Sequence, residues 1–157
     1  MIFDLIKKHE KSGVILLSGD VHFAQFYETK CKSLTGYNVP ELTSSGMSHH
    51  VDSFFKGMGQ KLLPLVTPKF WSASDLIVDF NFGLIKIAKT QGGDIEVNLE
   101  VRDHNNKIRL AKTLSKNKDL KFNNASAQYS KMCLTAHSEN KVIIQINHYF
   151  EILVIKR

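Results

Sequence analysis

The chain has 157 residues, a length that fits one domain or a large part of one. Hydrophobic residues make up 43% and charged residues 23%, which favours a packed core and argues against a disordered chain. The apolar runs are too short to span a bilayer, and residues 1–11 lack the apolar centre and cleavage site of a signal peptide. The sequence does not indicate a compartment.

A helix followed by a buried strand is predicted at the start of the chain. Residues 2–11 place four side chains on one helical face: Ile2, Leu5, Ile6 and His9. Gly13 is in the usual position of a helix C-terminal glycine. The continuous apolar run at 14–17 predicts a strand buried on both faces, and residues 21–29 predict a short helix or strand. The helix has no capping residue at its start, so we expect the chain to begin inside a domain.

A second strand is predicted at 40–46, where apolar residues end in Ser44-Ser45-Gly46. Ser48 then suits the N-cap of a helix. The apolar stripe of that helix follows helical spacing: Val51, Phe54, Phe55, Met58 and Leu62.

The remainder of the chain is predicted to form mostly antiparallel sheet. Short strands are expected at 76–80 and 84–88, on either side of Asn81-Phe82-Gly83. The clearest strand signal is the alternation of four apolar residues with polar ones: Ile95, Val97, Leu99 and Val101. Residues 103–106 predict a turn, and 107–114 should pair back as a hairpin. A polar loop at 116–128 and apolar strands within 142–155 complete the prediction, which gives an α+β or layered α/β fold.

Asp20 and His22 are the first candidates for a functional site. They follow the predicted buried strand in Ser18-Gly19-Asp20-Val21-His22, and ligand sites of open α/β sheets lie at the carboxyl ends of such strands. Aspartate supplies a hard oxygen and histidine a borderline nitrogen, a pair suited to two different metals. From these residues alone, a metal site and a simple capped strand end are equally supported.

Four segments together resemble the PhoD-like (alkaline phosphatase D) metallophosphatase family. They are residues 13–24, GVILLSGDVHFA; residues 41–49, ELTSSGMSH; residues 81–87, NFGLIKI; and the hairpin 97–114, with Val-Arg-Asp before its turn. They occur in the family's order with plausible spacing, so the joint match is more specific than any one segment.

The resemblance implies a calcineurin-like metallophosphoesterase β-sandwich flanked by helices, of which residues 1–115 would be the C-terminal part. It implies that Asp20 and His22 are ligands of a dinuclear site using iron with calcium, and that the substrate is a phosphomonoester or phosphodiester. The family's earlier ligand motifs are absent from this sequence, so the metal site is expected to be incomplete and the chain alone inactive. Either the chain is part of a longer phosphoric ester hydrolase, or it is a non-catalytic binding or scaffold relative. Residues 116–157 match nothing in the family and are left unassigned.

His49 and His50 follow the second strand end and are candidates to contact substrate phosphate, although a solvent-exposed pair at a helix start is an equally good interpretation. Charge is uneven: from Lys112 onward there are eight Lys/Arg and three Asp/Glu, a net charge of +5 out of +6. No arginine cluster or aromatic interleaving accompanies these lysines. The pattern therefore favours a solvated surface over a site for an anionic partner such as nucleic acid, so an anion-binding module that uses the basic tail is the weaker alternative.

Overall fold

A computed structural model of the chain describes residues 2–29, 32–50, 71–123 and 151–153. Within these ranges the fold is of the α+β class, with two small, mostly antiparallel sheets and short helices. The prediction of an α+β fold is confirmed at this level. The helix predicted after Ser48, residues 124–128 of the predicted loop and most of the predicted strands within 142–155 lie outside the described residues.

The larger sheet has five strands in the order β4-β2-β3-β1-β8. These strands are β1 (Leu16–Ser18), β2 (Ala24–Thr29), β3 (Pro40–Ser44), β4 (Trp71–Ala73) and β8 (Glu151–Leu153). The pair β1 and β3 runs parallel, and the other neighbours run antiparallel. The strand predicted at 40–46 is confirmed, and residues 21–29 contain a strand rather than a helix.

The prediction that residues 14–17 form a strand buried on both faces is only partly right. The strand β1 begins at Leu16 and includes Ser18, and all of its residues are half-buried. Burial on both faces would leave these side chains almost fully covered, and none of the three reaches that level. The apolar residues at 14–17 still pack against the main core cluster.

The first helix, α1 (Ile2–Lys8), buries Phe3 and Ile6. Leu5, which was predicted on the buried face, is 55% exposed, and His9 lies beyond the helix on the surface. The buried face of the helix is therefore displaced by about one position from the predicted one. The reason is that Phe3, together with Ile6, packs into the core cluster. A second helix, α2 (Lys32–Thr35), is a single turn.

The left-handed residue just after the end of α1 is Glu10, and the assignment of this role to Gly13 is wrong. Lys11 N donates to Ile6 O at 2.9 Å, and Glu10 N donates to Lys7 O at 3.1 Å. This pair of bonds is the Schellman motif, with Glu10 in the left-handed region at φ 47°. Gly13, at φ 79°, makes a later turn, in which its N–H donates to the carbonyl of Leu120 at 2.8 Å.

The smaller sheet is an antiparallel meander of β5 (Asn81–Lys89), β6 (Ile95–Asp103) and β7 (Ile108–Ser115). The predicted β6–β7 hairpin is confirmed, with one register shift between Val101 and Arg102. The predicted inward face is also confirmed: Val97, Leu99 and Val101 are at most 6% exposed, and Ile95 is half-buried against the same core. A one-residue slip would turn all of these side chains outward, which explains why alternation specifies the register.

Two short strands around a break at 81–83 were predicted, and this is wrong. Residues 76–80 form only a single bridge, between Ile77 and Ala24, and β5 runs unbroken from Asn81. Tertiary contact explains the difference: a Cβ on Gly83 would stand 3.3 Å from both Leu42 Cδ2 and Ser44 Cβ. Here Gly83 lets β5 approach β3 closely instead of making a turn.

The core lies between the two sheets. Ala24, Phe26 and Leu42 of the larger sheet form one cluster with the inward residues of β6. Beyond β7, residues 116–123 form turns without a strand, and Leu120, 1% exposed, belongs to the same cluster. The packing brings the end of β3 against the start of β5, where the candidate site lies.

Glu100 is also buried, at 8% exposed, although it projects from the outer face of β6. Its carboxylate accepts from Lys86 Nζ at 2.8 Å and from Arg102 Nε at 2.7 Å. The pKa of Glu100 is lowered below its ordinary value of 4.5. The hydrogen bond from Lys86 is the largest cause, and the hydrogen bond from Arg102 is the next largest.

A lowered pKa in the folded state means that Glu100 contributes stability above its unfolded pKa, and that this contribution is lost as the pH falls through the folded pKa. We therefore expect Glu100→Gln to lower the melting temperature at pH 7 and to leave it unchanged at about pH 2. Thermal unfolding at both pH values checks this. Glu96→Gln, which removes another carboxylate from the same face, is the matched control. Equal differences at the two pH values for Glu100→Gln would contradict the assignment.

Candidate functional site

The candidate site lies at the edge of the larger sheet where β1 and β3 end. These strands are adjacent and parallel, with Leu16 opposite Glu41 and Ser18 opposite Thr43. Their carboxyl ends therefore open at the same edge. The segments that follow carry the predicted metal ligands Asp20 and His22 and the predicted phosphate contacts His49 and His50. The topology thus brings the loops of all four predicted residues to one edge.

The loop after β1 has an unusual backbone. Asp20 and His22 both lie in the left-handed region, at φ 63° and 60°. Each such non-glycine residue costs on the order of 1–3 kcal/mol and persists only where its surroundings hold it. The Ser45 hydroxyl supplies one restraint, because it accepts from Val21 N at 3.0 Å and from His22 N at 2.9 Å. Ser45 therefore ties the loop after β1 to the loop after β3.

Asn81, only 2% exposed, links this edge to the start of β5. Its Oδ1 accepts from Ser44 Oγ at 2.9 Å and from Gly46 N at 3.4 Å, and its Nδ2 donates to Asp79 O at 2.8 Å. Its backbone N–H donates to Gly46 O at 3.1 Å. A Cβ on Gly46 would collide with the Asn81 amide, so this contact requires glycine. Asn81 thereby fixes the residues on both sides of Ser45.

His22 and His49 meet across the two loops. Their ring centroids are 6.0 Å apart with an interplanar angle of 86°, an edge-to-face arrangement. His22 is half-buried and His49 is exposed, with its Nδ1 3.2 Å from Ser48 Oγ. His50 packs edge-to-face on Phe80, with centroids 4.4 Å apart. Of the predicted site residues, His22 from the first loop and His49 from the second are therefore neighbours.

Asp20 lies in the same loop as His22 with an exposed carboxylate. A cluster of side-chain oxygens lies at the end of β1 and on the neighbouring β3. Ser18 Oγ donates to Glu41 Oε1 at 2.6 Å and lies 2.6 Å from Thr43 Oγ1. Sequence reasoning did not select these residues, and it also missed Ser45 and Asn81. Each acts through a hydrogen bond to a residue more than twenty positions away, which no local pattern reveals.

The family resemblance implies a dinuclear metal centre. Each ion of such a centre takes several oxygen or nitrogen ligands. Among residues 2–29, 32–50, 71–123 and 151–153, no three His, Cys, Asp or Glu side chains come together in a way that could hold a metal ion. The described residues alone therefore do not fit a dinuclear centre.

In the described part of the chain, no helix has the length and apolar character needed to cross a membrane. Comparison with known proteins identifies no relative: no family model, no curated protein and no solved structure matches this chain.

Proposed function

We propose that this chain supplies part of the active site of a phosphoric ester hydrolase with the calcineurin-like fold of the PhoD-like metallophosphatases. The proposal rests on the family resemblance of the four segments. The observation that carries it furthest is the meeting of two of those segments at one sheet edge, where the His22 and His49 rings lie 6.0 Å apart. Ligand sites of α/β sheets form at such edges.

In this proposal the residues of the edge have separate roles. Asp20 and His22 contribute an oxygen and a nitrogen ligand toward the metal centre, and the other ligands come from outside the described residues. His49, which is exposed beside His22, donates a ring N–H to a phosphate oxygen of the substrate. His50 has the weaker claim to such a role because its ring packs on Phe80. Ser45 and Asn81 position the loops without contacting substrate.

The second candidate function is a non-catalytic binding or scaffold module that has lost the metal centre. The family's earlier ligand motifs are absent from the sequence, which is the observation that favours it. The two candidates differ in whether Asp20 and His22 still attract a metal ion.

Paramagnetic mapping distinguishes these candidates in the chain itself. We expect Mn²⁺, added to the ¹⁵N-labelled protein, to broaden the amide signals of residues 19–22 and 45–49 before those of other acidic segments, because manganese accepts both carboxylate and imidazole ligands. Asp20→Ala should abolish this local broadening. Asp75→Ala, which removes another exposed carboxylate, should leave it unchanged. Broadening that is spread over all acidic segments, or that survives Asp20→Ala, would contradict the ligand assignment.

A further inference from the structure

Three exposed apolar side chains belong to the segments that form the candidate site. They are Val21 in the loop after β1, Met47 in the loop after β3, and Phe80, whose ring packs against His50. Met47 is 78% exposed, which is the largest exposure among the large apolar side chains of the described residues. A single exposed apolar residue needs no explanation, so the three are informative only if they lie together.

Phe80 and Met47 are brought together by the backbone. The N–H of Asn81, the residue after Phe80, donates to the carbonyl of Gly46 at 3.1 Å. Met47 follows Gly46 directly, so the peptide group at the end of Phe80 is hydrogen-bonded to the peptide group at the start of Met47. The two residues are therefore separated by one backbone hydrogen bond.

Val21 is tied to the same place through Ser45. Its N–H donates to Ser45 Oγ at 3.0 Å, and Ser45 is two residues before Met47. Two residues of chain span at most about 7 Å, so Val21 and Met47 lie close together. The rings of His22 and His49, which follow these residues in the sequence, meet 6.0 Å apart. The exposed apolar residues therefore border the polar groups of the candidate site.

This combination fits a ligand with one anionic end and one apolar end. Ligand sites are mostly apolar surfaces on which a few polar groups fix the orientation of the ligand. In the proposed function the phosphate of the ester lies at His49 and the metal ligands. The apolar residues then border the alcohol to which the phosphate is esterified, and covering them removes apolar surface from water.

We propose that the substrate of the candidate site is a phosphate ester of an apolar alcohol, whose hydrocarbon part covers Val21, Met47 and Phe80. This inference rests on the proposed function, since it names the group attached to the phosphate. A methylene that is fully covered strengthens binding about fourfold. Four additional methylenes that are each covered by half should therefore strengthen binding by at least about tenfold.

The test is a titration of the ¹⁵N-labelled 157-residue chain with pentylphosphonate and with methylphosphonate, two substrate analogues that differ by four methylenes and have no ester bond to cleave. We expect saturable shifts in residues 20–22, 46–50 and 79–81, and a Kd for pentylphosphonate that is at least about tenfold lower than that for methylphosphonate. Met47→Ser should reduce this ratio at least about twofold. Ile87→Ser, which removes an exposed apolar side chain about 20 Å away along β5, should leave the ratio unchanged.

Hydrolysis by the protein of the full-length transcript separates failure of this inference from failure of the proposed function. Equal affinity for the two phosphonates, in a protein whose longer form hydrolyses phosphate esters, would overturn the apolar alcohol and leave the proposed function intact. A preference for pentylphosphonate that Met47→Ser reduces, without hydrolysis by the longer protein, would support the apolar ligand and overturn the hydrolase. Absence of saturable shifts, a preference that survives Met47→Ser, or shifts that centre on Ile85 and Ile87 would overturn the site.

Discussion

Replacing Asn81 with alanine should lower the free energy of unfolding by about 2–3 kcal/mol. The substitution leaves Ser44 Oγ and Asp79 O without the partner they have now, and it opens a small void at a residue that is 2% exposed. A loss of this size should lower the melting temperature by about 5–10 °C in a chain of this length. It should also loosen the candidate site, because Asn81 holds the residues on both sides of Ser45.

Denaturant unfolding and amide hydrogen exchange measure these two effects. Asn98→Ala is the matched control, since Asn98 is a half-buried strand asparagine with partners on the outer face of β6, and it should cost less than about 1 kcal/mol. In Asn81→Ala the amides of Val21 and His22, which donate to Ser45 Oγ, should exchange faster. Unchanged stability, or unchanged exchange at these amides alongside lowered stability, would show that Asn81 does not position the loop.

The elements that could be predicted from the sequence are those whose own residues decide their structure. In β6, four apolar residues alternate with polar ones, and burial of Leu99 and Val101 at 0% exposed follows directly from that period. The hairpin could be predicted in the same way, because turn residues at 103–106 separate two segments with the character of strands. The polar end of β3 was likewise visible in Ser44-Ser45-Gly46.

Other features depend on contacts that no local pattern carries. Asn81-Phe82-Gly83 has the composition of a turn, yet it is extended because Gly83 lies against Leu42 and Ser44 of another sheet. Gly13 was the natural choice for the end of α1, but Glu10 adopts the left-handed conformation there despite its side chain. At Gly83 the tertiary structure overrides the preference of the residues, whereas at Glu10 the local hydrogen bonds of the helix end do so.

The candidate site divides in the same way. The positions of Asp20 and His22 after a strand were predictable, because an apolar run ending in Ser-Gly-Asp marks a strand end. The contact between His22 and His49 follows from the parallel pairing of β1 and β3, which places both strand ends at one edge. Ser45 and Asn81 were missed because they do not titrate or bind metal. Their importance lies in which distant backbone groups they satisfy.

The largest effect on activity is expected for Asp20→Ala in the protein encoded by the full-length transcript. In the proposed hydrolase this carboxylate is one of the groups that hold charge in place against the phosphate. Loss of positioned charge typically costs about 10²–10³ in rate, so hydrolysis of a generic phosphate ester should fall by at least about 10². Asp75→Ala, an exposed aspartate in another loop, should retain the starting rate.

Release of phosphate from an ester substrate, with iron and calcium supplied, is the most direct measurement of this account. We expect metal-dependent hydrolysis by the protein of the full transcript, loss of that activity in Asp20→Ala, and release no faster than a blank by the 157-residue chain alone. If the transcript encodes no more than these residues, the same absence of turnover favours the binding or scaffold alternative. Hydrolysis by the longer protein that is unaffected by Asp20→Ala would contradict the proposed site, and turnover by the 157-residue chain that Asp20→Ala abolishes would show that this chain completes the site itself.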